Sequence, residues 1–232
     1  MLENSEFVGP GIVVYRNVFN KELDIIKRLE GVLAEQSNTK YKWNQAYTGY
    51  NYKDLNYRDC FDFKIRVNDD DSLTVNNEQV MKSTFTETER VLSDIWADSY
   101  KAQVDAVNDY RVMFNLAPLN YWESFNYVKY GKDQHFQTHS DHGYSYTCVL
   151  SLVGYLNDDY DGGELYFDKF NIKIKPKSGD LYLFPSSFIY SHRAMPVQNG
   201  TKYSIVTMLD YLQTAHTPEY FKLEEKYNGN LL

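Results

Sequence analysis

The chain has 232 residues, 43% of them hydrophobic and 24% charged, with 22 tyrosines, 5 histidines, 2 cysteines and a formal charge of −8. That length can bury a core without disulfide staples, and the acidic balance, with no Lys/Arg-rich block, argues against a nucleic-acid partner. Cys60 and Cys148 lie far apart with no CxxC pairing, and the sequence starts without a leader-like apolar run or any stretch of membrane-spanning length. These features point to a cytoplasmic protein with no membrane partner.

In chain order, "GIVVYR" from Gly11 to Arg16 reads as a strand. Asn20 then caps a helix with Leu23, Ile26, Leu29 and Leu33 on one face. The aromatic, polar run that follows lacks helical period and is expected as loops, with a strand around Arg58 to Arg66 and a flap over Tyr41 to Tyr57. "NDDDSLTVNNEQ", Asn68 to Gln79, reads as a turn-rich break. A long helix follows, opened by the capping box of Thr86 and Glu89 and ending near Tyr110, with Val91, Ile95 or Trp96, Ser99 and Val107 along one face.

From Tyr121 to Leu212 the texture changes to short segments rich in Tyr, Phe, Val, Ile and Thr, cut by Gly, Asn and Asp, as in an all-β sandwich or barrel. The expected organisation is one domain over 1–232: strand and helix support in 1–120, a β core in 121–212 and a tail in 213–232.

Inside the β half stands "THSDHG", Thr138 to Gly143. On a strand, residues two apart share a face, so His139 and Asp141 project together while Ser140 turns away. An imidazole with a carboxylate suits non-haem iron better than a cysteine-rich zinc site, and His192 in "FIYSHRAMPV" is the best candidate for a third ligand. Such a face leaves three of six iron positions open. As a helix, the segment would instead align His135, His139 and His142 for zinc, but Gly143 and the β-branched and aromatic residues beyond it disfavour that. His216 reads as a surface residue.

Three segments in order, "YGKDQHFQTHSD", "YLNDDYDGGELYF" and "IKPKSGDLYLFPSSFIYSHRAMPVQNGTKYSIVTML", resemble the iron(II)- and 2-oxoglutarate-dependent oxygenases, particularly their prolyl 4-hydroxylase-like branch. The resemblance implies a mainly β fold with flanking helices, a double-stranded β-helix or jelly-roll core. His139, Asp141 and His192 would be the metal ligands and catalytic centre, and Lys202 the cation for the far carboxylate of 2-oxoglutarate. Tyr130 and Tyr155 match positions whose hydroxyls touch the cosubstrate. Ser204, on the strand face of Lys202, could add a hydrogen bond, while Arg193 and Lys129 are the alternative cations.

The implied cofactors are iron(II), 2-oxoglutarate and dioxygen, and the family also admits ascorbate. The implied partner is a peptide or protein hydroxylated at a prolyl residue; a free amino acid, a small metabolite, and a non-catalytic cupin-like metal-binding barrel are the alternatives. Lys202 argues against the last, because a cupin-like module needs no buried partner for a carboxylate. One conflict is local: a tight hairpin at Asn199-Gly200 would turn Lys202 away from His192, so the register must break near Met195-Pro196.

Overall fold

The computed structural model of the chain describes residues 1–48, 52–143 and 147–216. An 11-stranded sheet runs in the order Ser5–Gly9, Ile12–Tyr15, Leu181–Pro185, Leu150–Tyr155, Lys202–Asp210, Phe125–Tyr130, Phe61–Val67, Ser72–Val75, Glu78–Met81. Asn44–Gln45 pairs beside Phe61–Val67, and Tyr121–Trp122 beside Lys202–Asp210. A second sheet runs Ile172–Ile174, Leu165–Phe167, His192–Ala194, His135–His139, Arg58–Asp59. All of these pairings are antiparallel.

Side-chain parity sorts the large sheet into two buried faces. Val13, Tyr15, Leu150, Leu152, Leu181, Leu183 and Ile205 pack with Ile25, Leu29, Leu92 and Ile95 of the two helices, α1 (Ile25–Ala34) and α2 (Glu87–Met113). Their strand neighbours Ile12, Val14, Val153, Tyr155, Tyr182 and Phe184 face the opposite way and meet Leu165 and Phe167 of the second sheet. Helices therefore cover one face and the small sheet the other, which is the jelly-roll arrangement expected from the sequence. Among the described residues, no helix is long and apolar enough to cross a membrane.

Helix α2 opens on the expected capping box at Thr86 and Glu89, and it runs three residues past Tyr110 to Met113. Helix α1 starts later than expected. Asn20 does cap, accepting from the Glu22 amide at 3.0 Å, but it caps a single 3-10 turn, Lys21–Leu23. Asp24 then adopts φ +47, and the α-helix begins at Ile25. Its buried residues are Ile25, Leu29 and Val32.

The expected break at 68–79 holds a hairpin instead. Strands Ser72–Val75 and Glu78–Met81 are joined by Asn76 and Asn77, both at positive φ, +48 and +75. Two left-handed residues make the tight turn that matches strand twist, and asparagine tolerates that conformation.

Residues 41–46 are also not part of a flap. Tyr41 is buried and donates to Glu89 at 2.8 Å, Asn44–Gln45 pairs with Phe61–Val67, and Ala46 is fully buried. The exposed large hydrophobic residues of the expected Tyr-rich segment lie beyond that point, at Tyr47, Tyr52 and Leu55, and its residues 49–51 lie outside the described residues. Of the expected tail, 213–216 is described, and residues 217–232 lie outside the described residues.

Candidate metal and cosubstrate site

His139 ends its strand directly opposite His192 in the register of the second sheet, and a bulge between Phe136 and His139 sets that alignment. Asp141 follows two residues later, in a bend. The chain thus delivers one ligand from each of two neighbouring strands and a third from the turn that leaves the first. His139 Nε2 lies 3.6 Å from Asp141 Oδ1, and His192 Nε2 lies 3.9 Å from Asp141 Oδ2. One ligand atom from each residue falls within 4.8 Å of the others.

Both imidazoles are oriented from behind. His139 Nδ1 is 2.8 Å from the Gln137 carbonyl and His192 Nδ1 is 3.1 Å from that of Tyr190. With Nδ1–H donating to those oxygens, each Nε2 lone pair is left free to ligate. Rings hold the same poses: Phe136 stacks on His139 at 3.6 Å between centroids, and Phe184 meets His192 edge-on at 4.9 Å.

Burial and the neighbouring His192 push His139 down to about 3, against the pull of Asp141, so it is neutral at neutral pH, the form that binds metal. The buried Oδ2 of Asp141 has no hydrogen-bond partner among the described residues. A buried carboxylate oxygen without a donor is costly, and a cation supplies what it lacks. Two imidazoles held with Nε2 toward one another and one carboxylate with an orphaned oxygen fit iron(II).

Lys202 begins the longest strand, sharing parity with Ser204 and Val206 and lying directly opposite Tyr130; Ser204 lies opposite Tyr155. Its ammonium therefore sits between two aromatic rings, 4.6 Å from the centroid of Tyr130 and 5.5 Å from that of Tyr155. It donates to the Gly163 carbonyl at 2.9 Å and makes no ion pair among the described residues. Although it is only 2% exposed, no carboxylate neutralises it, and burial pushes its pKa down to about 7. Burial also pushes the phenols of Tyr130 and Tyr155 well up, so both are held as donors. Ser204 is buried beside them.

The register conflict raised by Asn199-Gly200 dissolves because that hairpin does not form. Val197–Asn199 pairs instead with Asp161–Gly162, through a bulge, and the chain crosses at Gly200 (φ +79) into the large sheet.

The alternative cations are engaged elsewhere. Lys129 reaches Glu30 at 2.7 Å, and Arg193 lies over the Tyr166 ring with Asp168 at 3.4 Å. His135 and His142 turn to the backbone carbonyls of Asp133 and Cys148 and do not join the cluster. His216 is not the surface residue expected from sequence. Its side chain is 2% exposed, stacked on Tyr121 and bridged to Glu123 and Asp210 at 3.2 and 3.1 Å.

A strap missed in the sequence closes the iron-side strand. The Tyr57 carbonyl accepts from the Gln137 amide at 2.8 Å, and the Tyr57 hydroxyl donates to the Thr138 carbonyl at 3.1 Å. Arg58 lies over Phe136 and donates to the Tyr47 carbonyl at 2.9 Å.

Residues 125–209 match the family model of the 2OG-Fe(II) oxygenase superfamily. The human procollagen-lysine,2-oxoglutarate 5-dioxygenase 2 is 27% identical over 84 residues, 36% of this chain and 11% of that protein, so the chain spans about a tenth of that relative's length. Among solved structures, a Trichoplax adhaerens prolyl hydroxylase in complex with a hypoxia inducible factor peptide fragment superposes with a TM-score of 0.61 at 15% identity, covering 86% of this chain and 83% of that one. A Pseudomonas putida prolyl-4-hydroxylase gives 0.60 at 16% identity, covering 86% and 92%. These two likenesses speak to the fold. The matched segment holds all three converging side chains and Lys202, so the residues that build this site lie in the part of the chain that is similar to the 2OG-Fe(II) oxygenase superfamily.

Proposed function

We propose that the protein is an iron(II)- and 2-oxoglutarate-dependent dioxygenase that hydroxylates a prolyl residue of a peptide or protein. The observation that carries this reading is the pairing of a ligand-ready His139, Asp141, His192 cluster with a buried, unneutralised Lys202 in one barrel. When bound, iron(II) and 2-oxoglutarate supply the oxidising chemistry: dioxygen is consumed, the keto acid leaves as succinate and carbon dioxide, and one oxygen atom enters a substrate C–H bond.

The chain's own residues do the rest. Gln137 and Tyr190 fix the two imidazoles through their carbonyls, and Phe136, Phe167 and Phe184 wall the cluster from water. Lys202 neutralises the far carboxylate of the cosubstrate, with the Tyr130 and Tyr155 phenols and Ser204 as neighbouring donors. The solved prolyl hydroxylases and the exposed Tyr47, Tyr52 and Leu55 beside the Tyr57 strap support an extended peptide as the substrate.

The test incubates the protein with iron(II), ascorbate and 2-oxoglutarate, together with proline-containing peptides, lysine-containing peptides, cell-extract protein or free amino acids. Succinate release and a mass gain of about one oxygen atom (~16 Da) are followed. Release stimulated by prolyl peptides supports the reading. Stimulation by free amino acids or lysyl peptides alone overturns the substrate, and absence of succinate with every substrate overturns the activity.

A further inference from the structure

The loop before Gly163 holds a phenol that neither the motifs nor the site described above assigns. Tyr160 is 5% exposed, and its hydroxyl is buried with no hydrogen-bond partner among the described residues. Its ring is clamped in place: the Lys175 ammonium sits 3.9 Å from the ring centroid and is itself pinned by the carbonyls of Tyr160 at 2.8 Å and Gly162 at 2.7 Å. Tyr160 packs with Tyr130, Cys60 and Val197 in one buried cluster.

Gly163 fixes how this ring stands to Lys202. Its φ is +64, and a Cβ added there would lie 2.9 Å from Tyr160 Cε2 and 3.1 Å from Lys202 Cδ, so the two side chains flank the same point. Lys202 in turn donates to the carbonyl of that glycine. A buried phenol without a partner and a buried ammonium without a carboxylate therefore belong to side chains that flank one glycine.

A hydroxyl left without a partner in such a place costs more than the hydrogen atom phenylalanine would put there, unless something fills it. A carboxylate offers about four acceptor sites, and to Lys202 and the neighbouring Tyr130, Tyr155 and Ser204 hydroxyls Tyr160 adds a buried donor that has no acceptor among the described residues. We infer that the Tyr160 hydroxyl is a direct hydrogen-bond donor to the far carboxylate of 2-oxoglutarate, completing with Lys202 the clamp that selects a keto diacid. This rests on the oxygenase reading above.

The experiment is calorimetric titration of 2-oxoglutarate into wild type and Tyr160→Phe, each loaded with manganese(II) in place of iron(II). 2-Oxobutyrate, which keeps the keto-acid end and lacks the far carboxylate, is titrated in parallel. Tyr160→Phe is expected to bind 2-oxoglutarate about tenfold more weakly or worse, as for loss of a bond to a charged group. Its affinity for 2-oxobutyrate and its manganese stoichiometry should match wild type, and its Tm should not fall. Equal 2-oxoglutarate affinity in the two proteins overturns the inference, as does an equal loss for both keto acids, which marks a change of pocket shape. Failure of wild type itself to bind 2-oxoglutarate overturns the oxygenase reading, and this inference with it.

Discussion

Lys202 is a buried amine with one carbonyl acceptor, two aromatic rings and no carboxylate among the described residues, so the protein's own groups offset only part of its desolvation. Two consequences follow from one variant, Lys202→Met. Binding of 2-oxoglutarate should weaken by roughly ten- to more than a hundredfold, the worth of a charge-assisted contact of about 1.5 to 3 kcal/mol, with iron binding intact. The empty variant should also be the more stable protein near neutral pH. The folded wild type gives up this proton near pH 7, whereas the unfolded chain holds it to 10.5. Between those values the unfolded state binds the extra proton, so wild-type stability gains on the variant as pH rises. The variant's advantage is thus full below pH 7 and shrinks toward pH 10, which urea unfolding of both proteins across that range measures. A constant difference would mean that Lys202 does not titrate as a buried amine. At this scale the sequence was partly readable: His139, Asp141, His192 and Lys202 sit in spaced motifs, while Tyr160 matters only because its hydroxyl is isolated, a property of packing. His216 was misread for the same reason, since Glu123 and Asp210 reach it only through the fold.

Among the elements, period and caps carried most of the information. The capping box at Thr86 and Glu89 located the start of α2 to the residue, and alternation exposed the strands of the β half. Where a short polar turn made the element, reading failed: Asn76 and Asn77 close a hairpin inside what reads as a break, and Asp24 in the left-handed region splits the expected first helix. Strand pairing across distant sequence was not readable either, which is why the crossing at Gly200 looked like a conflict. Two glycines test the packing with opposite signs. A Cβ at Gly154 would lie 2.2 Å from Phe19 Cε2 and 2.7 Å from Ile205 Cγ2, so Gly154→Ala should destabilise by about 1 to 3 kcal/mol through overpacking. Gly31, inside α1, has nothing within 4 Å of such an atom, and Gly31→Ala should stabilise by about 0.5 to 1 kcal/mol. Urea midpoints moving in the same direction for both variants would contradict this account of the core.

Across the whole molecule, the large sheet has separate jobs on its two faces. One is sealed by the helices around Leu92, Ile95 and Tyr127, and the other forms the barrel interior that contains Tyr155, Lys202 and Ser204. Removing ligands from the small sheet should therefore leave the helix-packed core standing. The central claim is that His139, Asp141 and His192 hold one iron(II). It is tested most directly by anaerobic measurement of bound iron(II) per chain in wild type and in the His139→Ala, His192→Ala double variant, with circular dichroism confirming that both are folded. The account predicts one iron(II) per chain in wild type and none in the folded variant; full stoichiometry retained in the variant, or none bound by wild type, would contradict it.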